Sequence, residues 1–276
     1  VSMRWILLLL FAGRLAGQTL TPALEQWKKE IESAGAPVLV AGVEYDANTN
    51  TYSLPAGIEG RELFARYLGQ TDFLLQFEQM YGVMVHHKGD RQAYLVMLNM
   101  GRVEEWREHE EAVLAHEFGH AWIRSKKFPA PVYQPGLAGC LAIHTGDIAQ
   151  HVLIRKELER RGIDQKTFWV KTLDKAAARA ASMQKPPEQD RCIRVLQARE
   201  LVDVRLGLEG EEWAGREAYE AMVKRVFPEV EPTVEEIVAW MRQHDMSDRA
   251  QHRRALVVVF EHLKALAYGR SKGYIL

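Results

Sequence analysis

The chain has almost no net charge: 36 Lys and Arg stand against 37 Asp and Glu, a formal −1. That balance excludes the electrostatic grip on nucleic acid that needs a basic domain or a clustered basic face. The densest basic stretch, Arg249 to Arg254, is broken by Gln251 and His252 and reads as the solvated face of a helix. Cysteine is scarce. Cys140 and Cys192 stand about 50 residues apart, which excludes a zinc knuckle. They either pair or stay as separate buried thiols, because sequence alone does not bring two Cα atoms within bonding reach. No internal repeat is evident. The apolar run Trp5 to Ala12 is too short for a comfortable membrane span.

That run has a different use. Arg4 precedes it and the small-residue stretch Leu15-Ala16-Gly17-Gln18 follows it, the order of a secretory signal peptide over residues 1–18. An exported protein, periplasmic or extracellular, is therefore expected, with no stable membrane span after cleavage. No cysteine directly follows the run, which argues against a lipid anchor. The remainder, in a chain 47% hydrophobic and 26% charged, has the composition of a globular protein.

Thr21-Pro22 opens a helix to about Ala34, with a cap-like Thr and Pro at the first helical position. A Val-rich strand from Pro37 to Tyr45 is expected to pair with Thr51 to Leu54 across an Asn-rich turn. Two short helices, Glu59 to Tyr67 and Thr71 to Tyr81, precede a hairpin of Val83 to His87 and Gln92 to Asn99. A long helix from about Glu104 to Lys126 then leads to a Pro- and Gly-rich loop, Pro129 to Gly139. Further helices are predicted over 145–161, 164–183, 188–206, 211–226, 233–243 and 248–267, with Pro186-Pro187 among the breaks. Strands first and helices afterwards make the fold class α+β. Residues 19–126 form a small α/β part with a short sheet, and 127–276 a mainly helical part. The helix of residues 104–126 lies at their junction, where a cleft is expected.

That helix carries His116-Glu117-Phe118-Gly119-His120. Residues four apart share a helix face, so both imidazoles can reach one metal ion. Glu117, one step round, sits beside that ion and can take a proton from its water. The surrounding residues, Ala112 to Ala115, Phe118 and Ala121 to Ile123, are apolar. Three ionisable groups on such a helix are costly unless something pairs with them, and a metal does.

Val113-Leu114-Ala115-His116-Glu117-Phe118-Gly119-His120-Ala121 resembles the active-site helix of zincin metallopeptidases. The resemblance covers about 15 residues closely and the rest only in organisation. It implies Zn2+ as cofactor, His116 and His120 as ligands, Glu117 as general base, and a peptide or protein substrate. It also implies a strand, around Tyr94 to Asn99, along which an extended peptide lies. Ala121-Trp122-Ile123-Arg124-Ser125-Lys126 lacks the Gly and third His of the metzincin extension, which points to the gluzincin-like subgroup, with a third ligand from a later helix. Peptide deformylases share the His-Glu-x-x-His pattern. Here, however, Gly139-Cys140-Leu141 follows the helix instead of preceding it, and Ala138 replaces the usual Glu.

The third ligand is open between His151 and Asp147, with Glu157 and His144 behind them. Asp147 and His151 share one face of the predicted helix of residues 145–161; either can bind the metal, and Asp147 can instead orient an imidazole. The structural reading of Asp147 is a first-turn acid favouring the helix dipole, with Thr145 as cap. Tyr133 is a candidate donor to an oxyanion, although loop tyrosines more often pack. His86 and His87 read as solvated, and Glu110 and Glu111 as facing water. The expected activity is peptide-bond hydrolysis. The alternative is an exported, non-catalytic helical binding or scaffold protein with a structural metal site.

Overall fold

Strands that are apolar on both faces need neighbours above and below, and two such strands organise the first half of the chain. The computed structural model describes residues 20–46, 49, 51–132, 136–180, 184 and 190–269. Residues 1–18, read above as a signal peptide, Tyr133 and Pro186-Pro187 lie outside the described residues. Two units are present: one runs to Lys126 and also takes Leu158–Gln165, and the other comprises Lys127–Glu157 and Lys166 onward.

In the first unit, α1 (Pro22–Glu32) starts as expected, with Thr21 Oγ1 accepting from the Leu24 amide and Pro at the helix start. The sheet has the order β2-β1-β4-β3. Strand β1 (Val38–Asp46) pairs antiparallel with β2 (Thr51–Ser53) and parallel with β4 (Ala93–Asn99), and β3 (Gly82–His87) pairs antiparallel with β4. Leu39, Ala41 and Val43 of β1 join Ala93, Leu95 and Met97 of β4 on one face. There they pack against Leu63 and Phe64 of α2 (Arg61–Leu68) and Phe77 of α3 (Thr71–Phe77).

The helix expected over residues 104–126 is broken. It forms α4 (Val103–Trp106), a 3-10 turn (Arg107–His109) and α5 (Glu110–Ser125). Trp106 is the cause. Its ring is buried and its Nε1 donates to the Asn99 carbonyl at 3.1 Å, while its backbone sits at φ −127° and ψ −5°, off the helical values. Helix α5 contacts β3, β4 and α1. At its far end, Glu30 of α1 receives Trp122 Nε1 at 3.1 Å, Lys126 at 3.1 Å and Arg161 at 2.5 Å.

The second unit is helical: α6 (Gly136–Arg160, its last turn entering the first unit), α7 (Lys166–Ala180), α8 (Arg191–Gly207), α9 (Arg216–Val226), α10 (Val230–Arg242) and α11 (Arg249–Tyr268). Helix α6 starts nine residues before the predicted Thr145. Leu141, Ala142, Ile148 and Ala149 are all buried on it, and that burial overrides the low helix propensity of Gly139 and Gly146. Thr145 is therefore not a cap but a buried mid-helix residue, and Asp147 lies well past the first turn. By length and composition α6 is apolar enough to cross a membrane, with 67% of its most apolar window buried inside the protein. Cys140 of α6 and Cys192 of α8 form a disulfide, with Cα atoms 6.0 Å apart.

Candidate metal centre

Helix α5 has buried apolar residues on most sides, Ala112 to Ala115, Phe118, Ala121 and Ile123, so its few polar side chains emerge along one stripe. His116 and His120 are half-buried on that stripe. Their Nε2 atoms lie 3.3 Å apart and their rings stand at 77° to one another. At that distance the two nitrogens are also within hydrogen-bond reach of one another. Two imidazole nitrogens on a tetrahedral zinc with bonds of about 2.0–2.1 Å are about 3.3–3.4 Å apart. The pair fits that ion.

His116 Nδ1 is in turn 2.7 Å from the side-chain amide of Gln165. Gln165 Oε1 is buried with no hydrogen-bond partner. Turning the amide about its last torsion brings Oε1 to His116 Nδ1–H, satisfies the buried acceptor and leaves the lone pair on Nε2 for a metal. Gln165 comes from the returning segment Leu158–Gln165, which belongs to the same unit as α5.

Glu117 is buried, 7% exposed. A Cβ on Gly82, the first residue of β3, would lie 3.2 Å from Glu117 Cγ and 3.4 Å from its Oε1. The carboxylate thus occupies space that any side chain at residue 82 would contest. This contact also corrects the strand expectation. β4, expected above to lie along an extended peptide, is interior and buried throughout; β3 is an edge strand and lies against α5.

In the second unit, His151 is buried, and its Nδ1 lies 2.9 Å from Asp203 Oδ2 of α8. Asp203 is 3% exposed and also receives Arg155 at 2.8 Å and Arg199 at 3.3 Å. Burial alone would raise its carboxyl, but His151, Arg155 and Arg199 hold it well below the usual carboxylate range. Arg199 is raised for the reciprocal reason: burial would lower it, and Asp203, Glu200 and Asp147 outweigh that. Nδ1–H of His151 donating to this carboxylate sets the tautomer whose Nε2 carries the lone pair. Asp147 is committed differently. It lies 3.6 Å from His144 Nδ1, and His144, His151 and Arg199 overcome burial to hold it low. The residue that orients His151 is therefore Asp203, not Asp147. Glu157 is buried on the same helix.

The remaining candidates divide. Tyr133 lies outside the described residues. His87 is buried rather than solvated, its Nδ1 3.0 Å from Tyr67 Oη. His86 is half-buried, its ring tilted against that of Tyr94 with centroids 4.7 Å apart; burial, with Lys88, Arg124 and His87, lowers it to about 4. Glu111 faces water as expected, but Glu110 does not: its Oε1 is buried, and burial raises its carboxyl. Gln165, Asp203, Gly82 and Arg124 were not anticipated. Only Arg124, one turn beyond His120, carried a signal in its spacing. Comparison with protein-family models, with curated proteins and with solved structures found no match.

Proposed function

We propose that this chain is an exported zinc peptidase of zincin type, gluzincin-like, in which His116, His120 and His151 hold Zn2+ and Glu117 is the general base. The observation that carries the reading is the 3.3 Å separation of the His116 and His120 Nε2 atoms beside a buried carboxylate. His151 is preferred to Asp147 as third ligand because Asp203 presets its tautomer, whereas Asp147 is engaged by His144 and Arg199. Edge strand β3 offers the backbone groups to which an extended peptide can add as a further strand. The Cys140–Cys192 disulfide suits an oxidising compartment and so supports export.

Zinc held by these residues would supply Lewis acidity, which lowers the pKa of a bound water toward about 7 and would polarise a scissile carbonyl. Glu117 accepts the proton from that water and returns it to the leaving amine. Gly82 keeps the carboxylate in position, and Gln165 and Asp203 fix the imidazole orientations. The test is zinc content and cleavage of a peptide library by the purified protein. One zinc per chain is expected, with turnover falling at least about 10²-fold in Glu117→Gln while zinc is retained. Stoichiometric zinc with no cleavage of any peptide would instead assign a structural metal in a non-catalytic protein.

A further inference from the structure

Arg124 is a cation on α5 that no acid among the described residues neutralises. Its Nε is buried without a hydrogen-bond partner, and among the described residues no carboxylate pairs with it. The other polar groups facing it are Tyr94 of β4 and His86 of β3. Neither supplies a negative charge near neutral pH: burial raises the Tyr94 phenol, and His86 is held low. The Arg124 guanidinium is itself lowered by burial, the sign of a desolvated cation. Three other arginines of the first unit do have acids, Arg161 paired with Glu30, Arg102 with Glu105 and Arg91 with Glu59.

Its place on the helix gives this isolation a use. Residue 124 is one turn beyond His120, about 6 Å along the axis, and lies about 20° round from Glu117 and about 40° from His120. Helix side chains lean toward the N-terminus, so the Arg124 stem points back along the face that holds the metal ligands and the base. Edge strand β3 follows the same face, with Gly82 at Glu117 and His86 within electrostatic reach of Arg124. An extended peptide rises about 3.3 Å per residue, so a group about two residues from a scissile bond at the metal comes level with the guanidinium.

We propose that Arg124 is the specificity-determining residue of this site, receiving a substrate carboxylate about two residues from the bond cleaved. This rests on the peptidase reading above and names the substrate class: acidic peptides. An arginine with no acid among the described residues is suited to a bidentate carboxylate pair, which compensates its lost hydration only when the correct substrate is bound. The carboxylate can be a chain terminus or an Asp or Glu side chain.

The experiment separates these sources and the two readings. A fixed peptide is prepared as the free acid and the C-terminal amide, and with Asp exchanged for Asn at each position near the scissile bond. Binding is measured calorimetrically on Glu117→Gln, and kcat/KM on the native protein. We expect the preferred carboxylate to be worth about tenfold or more in both readouts, terminal-acid dependence indicating a chain end and Asp dependence a side chain. Arg124→Gln should erase the preference, and Arg124→Glu should reverse it toward Lys peptides, with zinc content unchanged in each. Equal binding by Glu117→Gln of the free acid and the C-terminal amide together with no loss on any Asp-to-Asn exchange, or a preference that survives in Arg124→Gln, overturns the inference. Discrimination in binding without cleavage of any peptide leaves Arg124 as a carboxylate receptor and removes the peptidase reading instead.

Discussion

Gln165 reaches His116 Nδ1 at 2.7 Å from 49 residues away, and through that contact a returning segment orients one of the two helix imidazoles. An imidazole held on one nitrogen presents the other in a fixed direction, which is what ligand preorganisation requires.

Replacing Gln165 with Ala should therefore weaken zinc binding by about 10–100-fold, measured by competition with a chromogenic chelator. Gln165→Glu, which still accepts from Nδ1–H, should recover most of the affinity. Unchanged affinity in Gln165→Ala would mean that helix geometry alone orients His116.

Gly82 makes a separate prediction about the base. In Gly82→Ala the new methyl would lie 3.2 Å from both Glu117 Cγ and Leu98 Cδ2, tighter than ordinary contact, so one of them must move. Turnover should fall roughly tenfold, since small misplacements of a reacting group are expensive, while zinc content stays the same. A parallel loss of zinc would place the disturbance at the histidines instead.

Asp203 ties α6 to α8 through His151, Arg155 and Arg199. Asp203→Ala leaves two arginines without their buried counter-charge and should destabilise the protein by about 3–5 kcal/mol in urea unfolding. A neighbouring glycine supports the same arrangement. At Gly207 a Cβ would sit 2.4 Å from the Trp169 ring and 2.9 Å from Arg155 Cδ, so Gly207→Ala should also lower stability, by displacing the arginine that holds Asp203.

The acid limb of stability follows from the same carboxylates. Glu30 is lowered from 4.5 to about 2; burial would raise it, but hydrogen bonds from Arg161, Lys126 and Trp122 prevail. Asp203 and Asp147 are likewise held below the ordinary 3.8. A carboxyl depressed in the folded state binds fewer protons there than in the unfolded chain, so its stabilisation is complete above the unfolded value. It is lost as pH falls from about 4.5 through the folded value, so unfolding midpoints should drop from about pH 5 down to about pH 2. Glu30→Gln should flatten that fall. Glu30 is about one-third exposed, so its share will be small beside that of Asp203.

Reduction of Cys140–Cys192 opens a cross-link of sequence separation 52. Loop-closure entropy for that length is about 4 kcal/mol, so melting with a thiol reductant, or of Cys192→Ser, should come on the order of 10 °C lower. A melting curve insensitive to reductant would show that helix packing in this unit suffices without the bond.

The elements that sequence located well are those governed by a short repeat. Thr21-Pro22 started α1, and Asp248 caps α11 one residue before the helix begins. Errors arose where a distant contact prevailed over a local tendency. Trp106 is drawn to Asn99 and breaks a helix whose composition reads as continuous, and the burial of Leu141 and Ala142 carries α6 back through a stretch that reads as loop. His87 and Glu110 looked like surface residues because nothing nearby in the chain shows that Tyr67 or a buried wall faces them.

The sequence by itself determined the central pair. Four-residue spacing on a helix places His116 and His120 on one face and Glu117 beside them, because backbone hydrogen bonding repeats every 3.6 residues whatever surrounds it. Tertiary structure alone decided that Gln165 holds His116, that Asp203 and not Asp147 holds His151, that Gly82 makes room for Glu117, that β3 is an edge strand, and that Arg124 meets no acid among the described residues. Those facts join residues brought together by the path of the whole chain. That path reflects many small burial and packing terms at once, which no local spacing encodes.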